Sequence, residues 1–471
     1  MPASAEQRIA RVVEQLYPET AFEKRYRQPR PLNERMAARH TPGVSIAVIN
    51  DFEIEWARGF GVSDLGTATP VTPTTLFQAG SISKPIFALA VMRLVQQGRL
   101  DLDAHVNTYL KSWKIPANGD WQPHVTLRHL LSHAAGLTVH GFPGYQRSEP
   151  LPTVVQVLNG EPPANTEKVE VNILPGLQTR YSGGGTTVAQ QAVVDTLGMA
   201  FPEIMRTVVF EPLGLDHSTY EQPLPDSRAA QAATAHPWKG IPLEGKHHNY
   251  PEMAAAGLWT TPTDLAIVGA ELLRAIHGKS DRFLAVETIE AMLQPQLKHQ
   301  QAGEGEYAGL GFFCAGKDVS FFFGHGGWDE GFVAMLRVYK NIGKGAVVML
   351  NSNEGFPLLE EIMRAIAQEY DWPEVFPAEK VVVELPAADN YTGIYATEAG
   401  VEFNVINQNG AIALQLAQQP ALPLLPTSEL DFFTKALNTS VAFEKDTEGQ
   451  VIALTVRQDG NTITAKRQNL A

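Results

Sequence analysis

The amino-acid sequence predicts an α+β protein: an antiparallel β-sheet flanked by helices, with a helical subdomain, followed by a small all-β barrel. Two observations lead to this prediction. Within the first 370 residues, strand patterns lie near the beginning and near the end, with helical patterns between them. After a proline-containing segment the pattern changes to short strands separated by turns. The chain of 471 residues is also longer than one ordinary domain. We therefore expect a first domain over 1–375, a linker over 376–390 and a barrel over 391–471.

Composition and charge limit the class of protein. Hydrophobic residues make up 44% and charged residues 19% of the chain, which is enough apolar material for a packed core. Lys and Arg total 37 against 51 Asp and Glu, a net charge of −14. A duplex nucleic-acid binder or an anionic-membrane binder needs clustered positive charge, so neither kind of partner is expected.

The single cysteine and the first residues bear on the compartment. Cys314 has no partner for an intramolecular disulfide and, in a strand pattern, is expected to be a small buried hydrophobic residue. The first 26 residues carry charges throughout and lack the apolar core of a secretory signal, so a cytoplasmic location is expected. If a signal peptide had been removed from the sequence, the expected location would instead be periplasmic or extracellular. The longest apolar stretch, residues 86–92, is too short to span a bilayer.

The first elements in chain order are a helix, a hairpin and a second helix. Residues 5–25 have an amphipathic helical pattern, and two β-rich runs around Asn50-Asp51 predict an antiparallel hairpin. Residues 81–98 are apolar on nearly every side and end at Gly98, as expected of a buried helix. Pro85 is tolerable in its first turn because the early helix N–H groups lack intrahelical partners.

The middle of the chain mixes short helices with loops, and strands return after residue 300. The clearest middle helices are predicted at 127–137 and at 261–276, the second capped by Thr261 or Thr263. Three strand patterns and a helix at 357–370 then follow. Strands from both ends with helices between them predict one antiparallel sheet covered by helices.

The last part of the chain has a different pattern. Residues 371–390 contain three prolines and are typical of a linker. From Tyr391 to Gln468 about eight short strands are separated by turn residues, which predicts a small antiparallel barrel or sandwich.

Ser81 and Lys84 form the first candidate for chemistry. Residues three apart on a helix share a face, so the Lys84 amine can reach the Ser81 hydroxyl. A serine needs a base to become a nucleophile, and a lysine can serve when burial or a nearby cation lowers its pKa. Such a pair also occurs by chance, so this motif alone is weak.

Two further motifs lie downstream. Tyr181 precedes Ser182 and a run of glycines, where backbone can approach closely, and a tyrosine near a lysine cation can act as a base. His325-Gly326-Gly327-Trp328 closes an aromatic strand, and glycines at a strand edge let a substrate backbone lie alongside exposed N–H groups. Each motif taken alone could equally be structural: a tyrosine in a glycine turn, or a tight turn with a surface histidine.

Taken together and in this order, the three motifs resemble the serine β-lactamase and penicillin-binding-protein superfamily. The resemblance is strongest to its class C-like branch of D-peptidases, β-lactamases and family VIII-type esterases, and covers about residues 20–370. Residues 391–471 resemble, more weakly, the lipocalin-like domain attached to some of these hydrolases. Supporting segments of the first part are TPGVSIAVI, LRHLLSHAAGL, AAAGLWTTPTDLA and YAGLGF.

The resemblance implies a serine hydrolase. Ser81 would attack a carbonyl and form an acyl-enzyme, with Lys84 and Tyr181 sharing proton transfer; which of the two is the base stays open. The backbone N–H groups of Ser81 and Trp328 would form the oxyanion hole, and His325, Gly326 and Gly327 would line the substrate site. No metal or organic cofactor is implied. The expected partner is a small ester, peptide or β-lactam substrate, and the oligomeric state stays open.

Two departures from the family pattern bear on the substrate. Gly183 stands where relatives often have Asn, so a side-chain amide that could hold a substrate amide is missing. His325 stands where many penicillin-recognising members have Lys, and a mostly neutral histidine attracts a carboxylate less strongly. Both departures favour ester or small-peptide hydrolysis over efficient β-lactam hydrolysis.

One alternative comes from a different class of protein. A binding or sensor protein that is acylated at Ser81 but turns over poorly would carry the same motifs, because fold does not fix function. Other hydrolase types lack support, since the sequence has no Gly-x-Ser-x-Gly elbow, His-Glu-x-x-His helix or Walker A loop. His133 follows an apolar helix face and is expected to be structural.

Overall fold

The structure, a computed structural model, divides into two units. The first is built from residues 3–16 and 30–373, and the second contains residues 387–468. Within the described part of the chain, every helix is too short or too polar to cross a membrane. The described residues are 3–16, 29–297, 300, 305–373, 383, 387–408, 410–417, 419–434, 439–458 and 461–468.

The first unit contains an eight-stranded antiparallel sheet and a separate two-stranded pair. In the sheet, β1 from the start of the chain pairs with β10 from the end of the unit, Val44 lying opposite Leu350. The sheet order is β3-β2-β1-β10-β9-β8-β7-β6, and β4 pairs with β5. The strands are β1 (Gly43–Asn50), β2 (Glu53–Asp64), β3 (Thr69–Pro70), β4 (Phe77–Gln78), β5 (Trp259–Thr260), β6 (Tyr307–Ala308), β7 (Phe313–Ala315), β8 (Phe322–Asp329), β9 (Phe332–Tyr339) and β10 (Lys344–Leu350).

Helices cover both faces of this sheet, which confirms the predicted architecture. They are α1 (Ala5–Glu14), α2 (Leu32–Ala38), α3 (Ser83–Gln96), α4 (Leu127–Leu131), α5 (Val154–Asn159), α6 (Gly183–Leu197), α7 (Phe201–Met205), α8 (Glu211–Leu213), α9 (Asp226–Ala229), α10 (Met253–Ala256), α11 (Pro262–Ile276), α12 (Val286–Met292) and α13 (Phe356–Glu369).

The alternation of side chains along the central strands produces two separate cores. On β1, Ala47 and Ile49 join the large core with α3, α6 and α11, whereas Ile46 and Val48 join a smaller core with α1 and α13. Successive side chains of a strand point to opposite faces, so a strand apolar at every position is buried on both sides. The sheet is therefore the middle layer of the unit.

Local signals explain the elements that the sequence predicted well. The hairpin of β1 and β2 turns through Asp51 and Phe52, both with positive φ, as a two-residue turn of the primed type requires. Thr261 caps α11 by accepting a hydrogen bond from the Asp264 N–H at 3.1 Å, whereas Thr263 lies inside the helix. The buried helix α3 follows a 3-10 turn at Gly80–Ile82.

Two predicted helices differ from the observed ones, and one observed helix was not predicted. α1 ends at Glu14, and residues 17–25 of the helix predicted over 5–25 lie outside the described residues. α4 ends at Leu131, short of the predicted 137, because His133 and Gly136 adopt positive φ values that a helix cannot contain. α6 was not predicted, because its first turn consists of Gly183, Gly184 and Gly185.

The second unit contains a closed eight-stranded antiparallel barrel, which confirms the all-β prediction. Its core includes Tyr391, Phe432 and Phe443, whose ring centroids lie 5.1–5.3 Å apart. The predicted linker, residues 376–390, lies mostly outside the described residues, so the domain boundaries stay predictions. The barrel strands are β11 (Gly393–Ala396), β12 (Glu402–Gln408), β13 (Ala411–Leu416), β14 (Leu422–Pro426), β15 (Asp431–Thr434), β16 (Thr439–Lys445), β17 (Val451–Gln458) and β18 (Asn461–Arg467).

Candidate active site

Ser81 lies in the 3-10 turn that leads into α3. Ser83 stabilises this turn, because its hydroxyl donates to the Gly80 carbonyl at 2.6 Å and accepts from the Leu258 N–H at 3.0 Å. The apolar side chains of α3 are buried in the large core, and burying each contributes about 1.5–3 kcal/mol. A rigid, buried helix therefore carries the candidate nucleophile at its start.

Lys84 sits one turn along and is directed at Ser81. Its Nζ lies 2.9 Å from Ser81 Oγ and donates to the Ala255 carbonyl at 2.7 Å, and its side chain is buried. Ala255 belongs to the short helix α10, inside the supporting segment AAAGLWTTPTDLA, to which the sequence analysis gave no role in the site. Because a backbone carbonyl has no residue-type signature, this contact could not be predicted from the sequence.

Tyr181 comes to the same place from the start of α6. Its neighbour Ser182 caps that helix by accepting from the Gly185 N–H at 2.9 Å. Lys84 Nζ lies 4.9 Å from the centroid of the Tyr181 ring. Ser81, Lys84 and Tyr181 are thus brought together, although no hydrogen bond joins Tyr181 Oη to the other two among the residues described.

Two histidines pack against the Tyr181 ring. The ring centroids of His133 and His140 lie 4.4 Å and 4.8 Å from that of Tyr181. His133 is buried and its Nδ1 accepts from the Ser182 N–H at 3.2 Å, so the ring also fixes the backbone beside Tyr181. Burial, with Lys84 nearby, holds the pKa of His133 well below its usual value. A neutral His133 that orients Tyr181 agrees with the structural role expected of it.

The four residues His325–Trp328 lie within β8 rather than after it. β9 pairs with all of β8, whereas β7 pairs with it only as far as Gly324. Beyond Gly324, the other edge of β8 has no partner strand among the described residues, and Trp328 there is 53% exposed. A free edge beside a nucleophile can hold an extended substrate.

His325 is neutral in this site. Its ring is buried, and burial together with the nearby Lys84 lowers its pKa to about 3. Nδ1 lies 2.5 Å from the Gly326 carbonyl, which can only accept, so Nδ1 carries the proton and Nε2 is a hydrogen-bond acceptor. Nε2 has no partner among the described residues. The side chain therefore offers a lone pair where a lysine would offer a positive charge.

The place of the missing asparagine is partly filled by another side chain. A Cβ added to Gly183 would lie 3.0 Å from the Phe142 ring and 3.2 Å from the His140 carbonyl. A longer side chain at position 183 therefore requires Phe142 to move. Gly183 therefore leaves room for the Phe142 ring to lie against the first turn of α6.

The sequence analysis missed two buried carboxyl groups, Asp329, which lies near Lys84, and Glu252, which lies near Asp329. Asp329, at the end of β8, accepts from the Gly80 N–H at 3.1 Å, and burial raises its pKa well above the usual value. Glu252 precedes α10 and is fully buried, which raises its pKa to about 8. The third motif covers residues 325–328. It does not indicate that the side chain of the next residue, Asp329, contacts the turn that carries Ser81.

The described residues contain no candidate metal-binding cluster. No group of three or more His, Cys, Asp or Glu side chains there could hold a metal ion. Cys314 is buried in β7, as expected of a small hydrophobic residue.

Comparisons with known proteins identify the family and the fold. Residues 30–370 match the Beta-lactamase family. Penicillin-binding protein 4* of Bacillus subtilis is 24% identical over 440 residues, which is 88% of this chain and 92% of that protein.

Two solved structures share the fold. The octameric penicillin-binding protein homologue from Pyrococcus abyssi covers 93% of this chain and 97% of its own, with a TM-score of 0.65 and 22% identity. The beta-lactamase/D-alanine carboxypeptidase from Yersinia pestis covers 71% of this chain and 93% of its own, with a TM-score of 0.55 and 18% identity. The family match spans well over half of the sequence and confirms the predicted superfamily. The chain therefore belongs to the Beta-lactamase family.

Proposed function

We propose that the protein is a serine hydrolase that cleaves an ester or amide through an acyl-enzyme on Ser81. The observation that carries the proposal is the 2.9 Å contact between Lys84 Nζ and Ser81 Oγ, with Lys84 held by the Ala255 carbonyl. A base within hydrogen-bond reach of a serine is the arrangement that nucleophilic catalysis needs. Membership in the Beta-lactamase family supports the same chemistry.

The reaction would proceed in two balanced steps. Ser81 Oγ attacks the substrate carbonyl while its proton passes to Lys84 or Tyr181, and the protonated leaving group departs as the tetrahedral intermediate collapses. Water then attacks the acyl group, its proton returns through the same pair, and Ser81 is released. The backbone N–H groups of Ser81 and Trp328 would bind the oxyanion in both steps.

The substrate class follows from the polarity of the site. The names of the relatives point to β-lactams and to D-alanine-containing peptides as family substrates. Neutral His325 favours instead an acyl group without a carboxylate at the β8 edge. We therefore propose esterase or small-peptide activity as the main activity, with weak β-lactam hydrolysis.

Burst kinetics with p-nitrophenyl acetate and butyrate test this proposal. Wild type should release p-nitrophenol beyond one equivalent, and intact-mass analysis should show an acyl adduct. Ser81→Ala should lower turnover by about 10³-fold or more, since the nucleophile is removed. Ser148→Ala is the control, because Ser148 is exposed and its loss should leave turnover unchanged.

Two results would contradict the proposal. A single equivalent of label on Ser81 without further turnover would favour the acylated sensor protein. A fluorophosphonate that labels a residue other than Ser81 would show that the nucleophile is wrongly assigned.

A further inference from the structure

The turn that carries Ser81 rests directly on β8 at two glycines. A Cβ added to Gly80 would lie 2.5 Å from the Trp328 backbone nitrogen, and one added to Gly327 would lie 2.0 Å from the Ala79 carbonyl oxygen. Real Cβ atoms do not approach other atoms so closely, so the two backbone segments are in contact. This contact puts the Trp328 amide next to the peptide unit that contains the Ser81 amide.

Asp329 ties these two segments together. Its Oδ2 accepts from the Gly80 N–H at 3.1 Å, and the residue is 2% exposed. Its backbone is held in turn by Asn353, whose Nδ2 donates to the Asp329 carbonyl at 2.8 Å and whose Oδ1 accepts from the Gly331 N–H at 2.8 Å. The Asp329 backbone is therefore held in place at the end of β8, and its carboxyl accepts a hydrogen bond from Gly80, the residue before Ser81.

Groups of both signs face the Asp329 carboxyl. Lys84 of α3 lies nearby, as do Glu252, Glu330 and the Tyr250 hydroxyl, and Gly80 donates its N–H. Burial is the largest effect on its pKa and favours the uncharged acid. An uncharged carboxyl still accepts through its carbonyl oxygen, so the hydrogen bond to Gly80 does not need the negative charge.

We propose that Asp329 is a positioning residue that holds the Gly80 N–H so that the amides of Ser81 and Trp328 converge on one oxyanion. The proposal rests on the proposed hydrolase function. It assigns to Asp329 neither contact with substrate nor a role as the counter-charge of Lys84.

Three substitutions separate the acceptor from the charge. Asp329→Asn keeps an acceptor oxygen and removes the charge, Asp329→Leu fills the same space without an acceptor, and Asp329→Ala removes both volume and acceptor. Glu330→Gln controls for loss of a neighbouring acid. Each variant is measured for kcat and KM on p-nitrophenyl butyrate and for inhibition by phenylboronic acid, which forms a tetrahedral adduct with an active-site serine.

The expected result is rescue by the conservative variant. Asp329→Asn should keep kcat within about threefold, whereas Asp329→Leu should lose about 10²-fold in kcat with little change in KM, as when an oxyanion donor is lost. The inhibition constant of phenylboronic acid should rise at least about 10-fold in the Leu variant only. If the Ala variant does not fold, the comparison of Asn with Leu decides alone.

Three results would overturn the proposal. Full activity and boronate affinity in the Leu variant would mean that the hydrogen bond is dispensable. Equal losses in the Asn and Leu variants would assign the role to the charge. A wild-type protein that neither hydrolyses the ester nor binds phenylboronic acid would overturn the proposed function, and the role of Asp329 with it.

Discussion

At the scale of single residues, the neutral state of His325 determines what the β8 edge can attract. Burial lowers its pKa to about 3, so the ring is uncharged throughout the physiological range. His325→Lys would place a cation at the same edge. A charge-assisted hydrogen bond to a carboxylate is worth about 1.5–3 kcal/mol, so the kcat/KM of benzylpenicillin relative to p-nitrophenyl butyrate should rise about 10-fold or more.

A generic effect of added charge needs its own control. His124 is exposed and its ring contacts that of His105, so His124→Lys adds one positive charge at the surface. The ratio of the two kcat/KM values should not change in this variant. An unchanged ratio in His325→Lys as well would mean that position 325 does not select the acyl group.

The residues of the candidate site were predictable to different degrees. Ser81, Lys84 and Tyr181 carry side-chain signatures at recognisable spacings, and the structure does bring them together. Ala255 contributes only a backbone carbonyl, which any residue type could supply. Asp329 follows the third motif directly, but whether a strand residue faces the nucleophile depends on register, which is a tertiary property.

At the scale of elements, β8 passes very close to the nucleophile turn at Gly327 but not at Gly326. A Cβ at Gly327 would lie 2.0 Å from the Ala79 carbonyl, whereas one at Gly326 would meet nothing nearer than the Met335 methyl at 3.8 Å. Gly327→Ala should therefore push β8 away from the turn, cost about 1–3 kcal/mol of stability and reduce kcat about 10–10²-fold.

The neighbouring glycine provides a matched control for this prediction. Gly326→Ala adds the same methyl group to the same strand, in ordinary van der Waals contact, and should keep kcat within about threefold of wild type because no backbone must move. Steady-state kinetics and thermal unfolding of the two variants measure both effects. If the two alanine variants have equal kcat values and equal unfolding temperatures, the close contact at Gly327 does not matter for activity or stability.

Elements were predictable where local signals agreed with tertiary packing. The hairpin of β1 and β2 and the helix α11 have turn residues and a cap that act locally. α6 was missed because its three initial glycines disfavour a helix, and the Ser182 cap and burial of that turn overcome this preference. α4 was predicted too long because the apolar pattern continues where the backbone already turns at His133.

At the scale of the whole molecule, the order of strand and helix patterns carried most of the information. Strands at the two ends of the first unit predicted one sheet, and β1 does pair with β10. The spacing of turn residues after position 390 predicted about eight strands, and eight form the barrel. The sequence could not indicate the pairing of buried polar groups, because these groups come from segments distant in the chain.

One such group makes the stability of the protein depend on pH. Glu252 is fully buried, its Oε2 has no partner among the described residues, and Tyr145 Oη lies 3.5 Å from Oε1. Burial raises its pKa from 4.5 to about 8. In the unfolded chain the carboxyl ionises near 4.5, so between these two pH values the folded state binds one proton more. The free energy of unfolding from this group should fall by about 1.4 kcal/mol per pH unit over that window.

Glu252→Gln removes the titration and keeps the shape of the side chain. The free energy of unfolding of wild type minus that of the variant should be most favourable at pH 5 and decline steadily to pH 8, as measured by urea unfolding at unit intervals. Groups distant from Glu252 titrate alike in both proteins, so their contributions cancel in the difference. Glu244→Gln, a change at an exposed residue, should give a difference that does not vary with pH. A flat difference for Glu252→Gln too would mean that Glu252 ionises in the folded protein as it does in the unfolded chain.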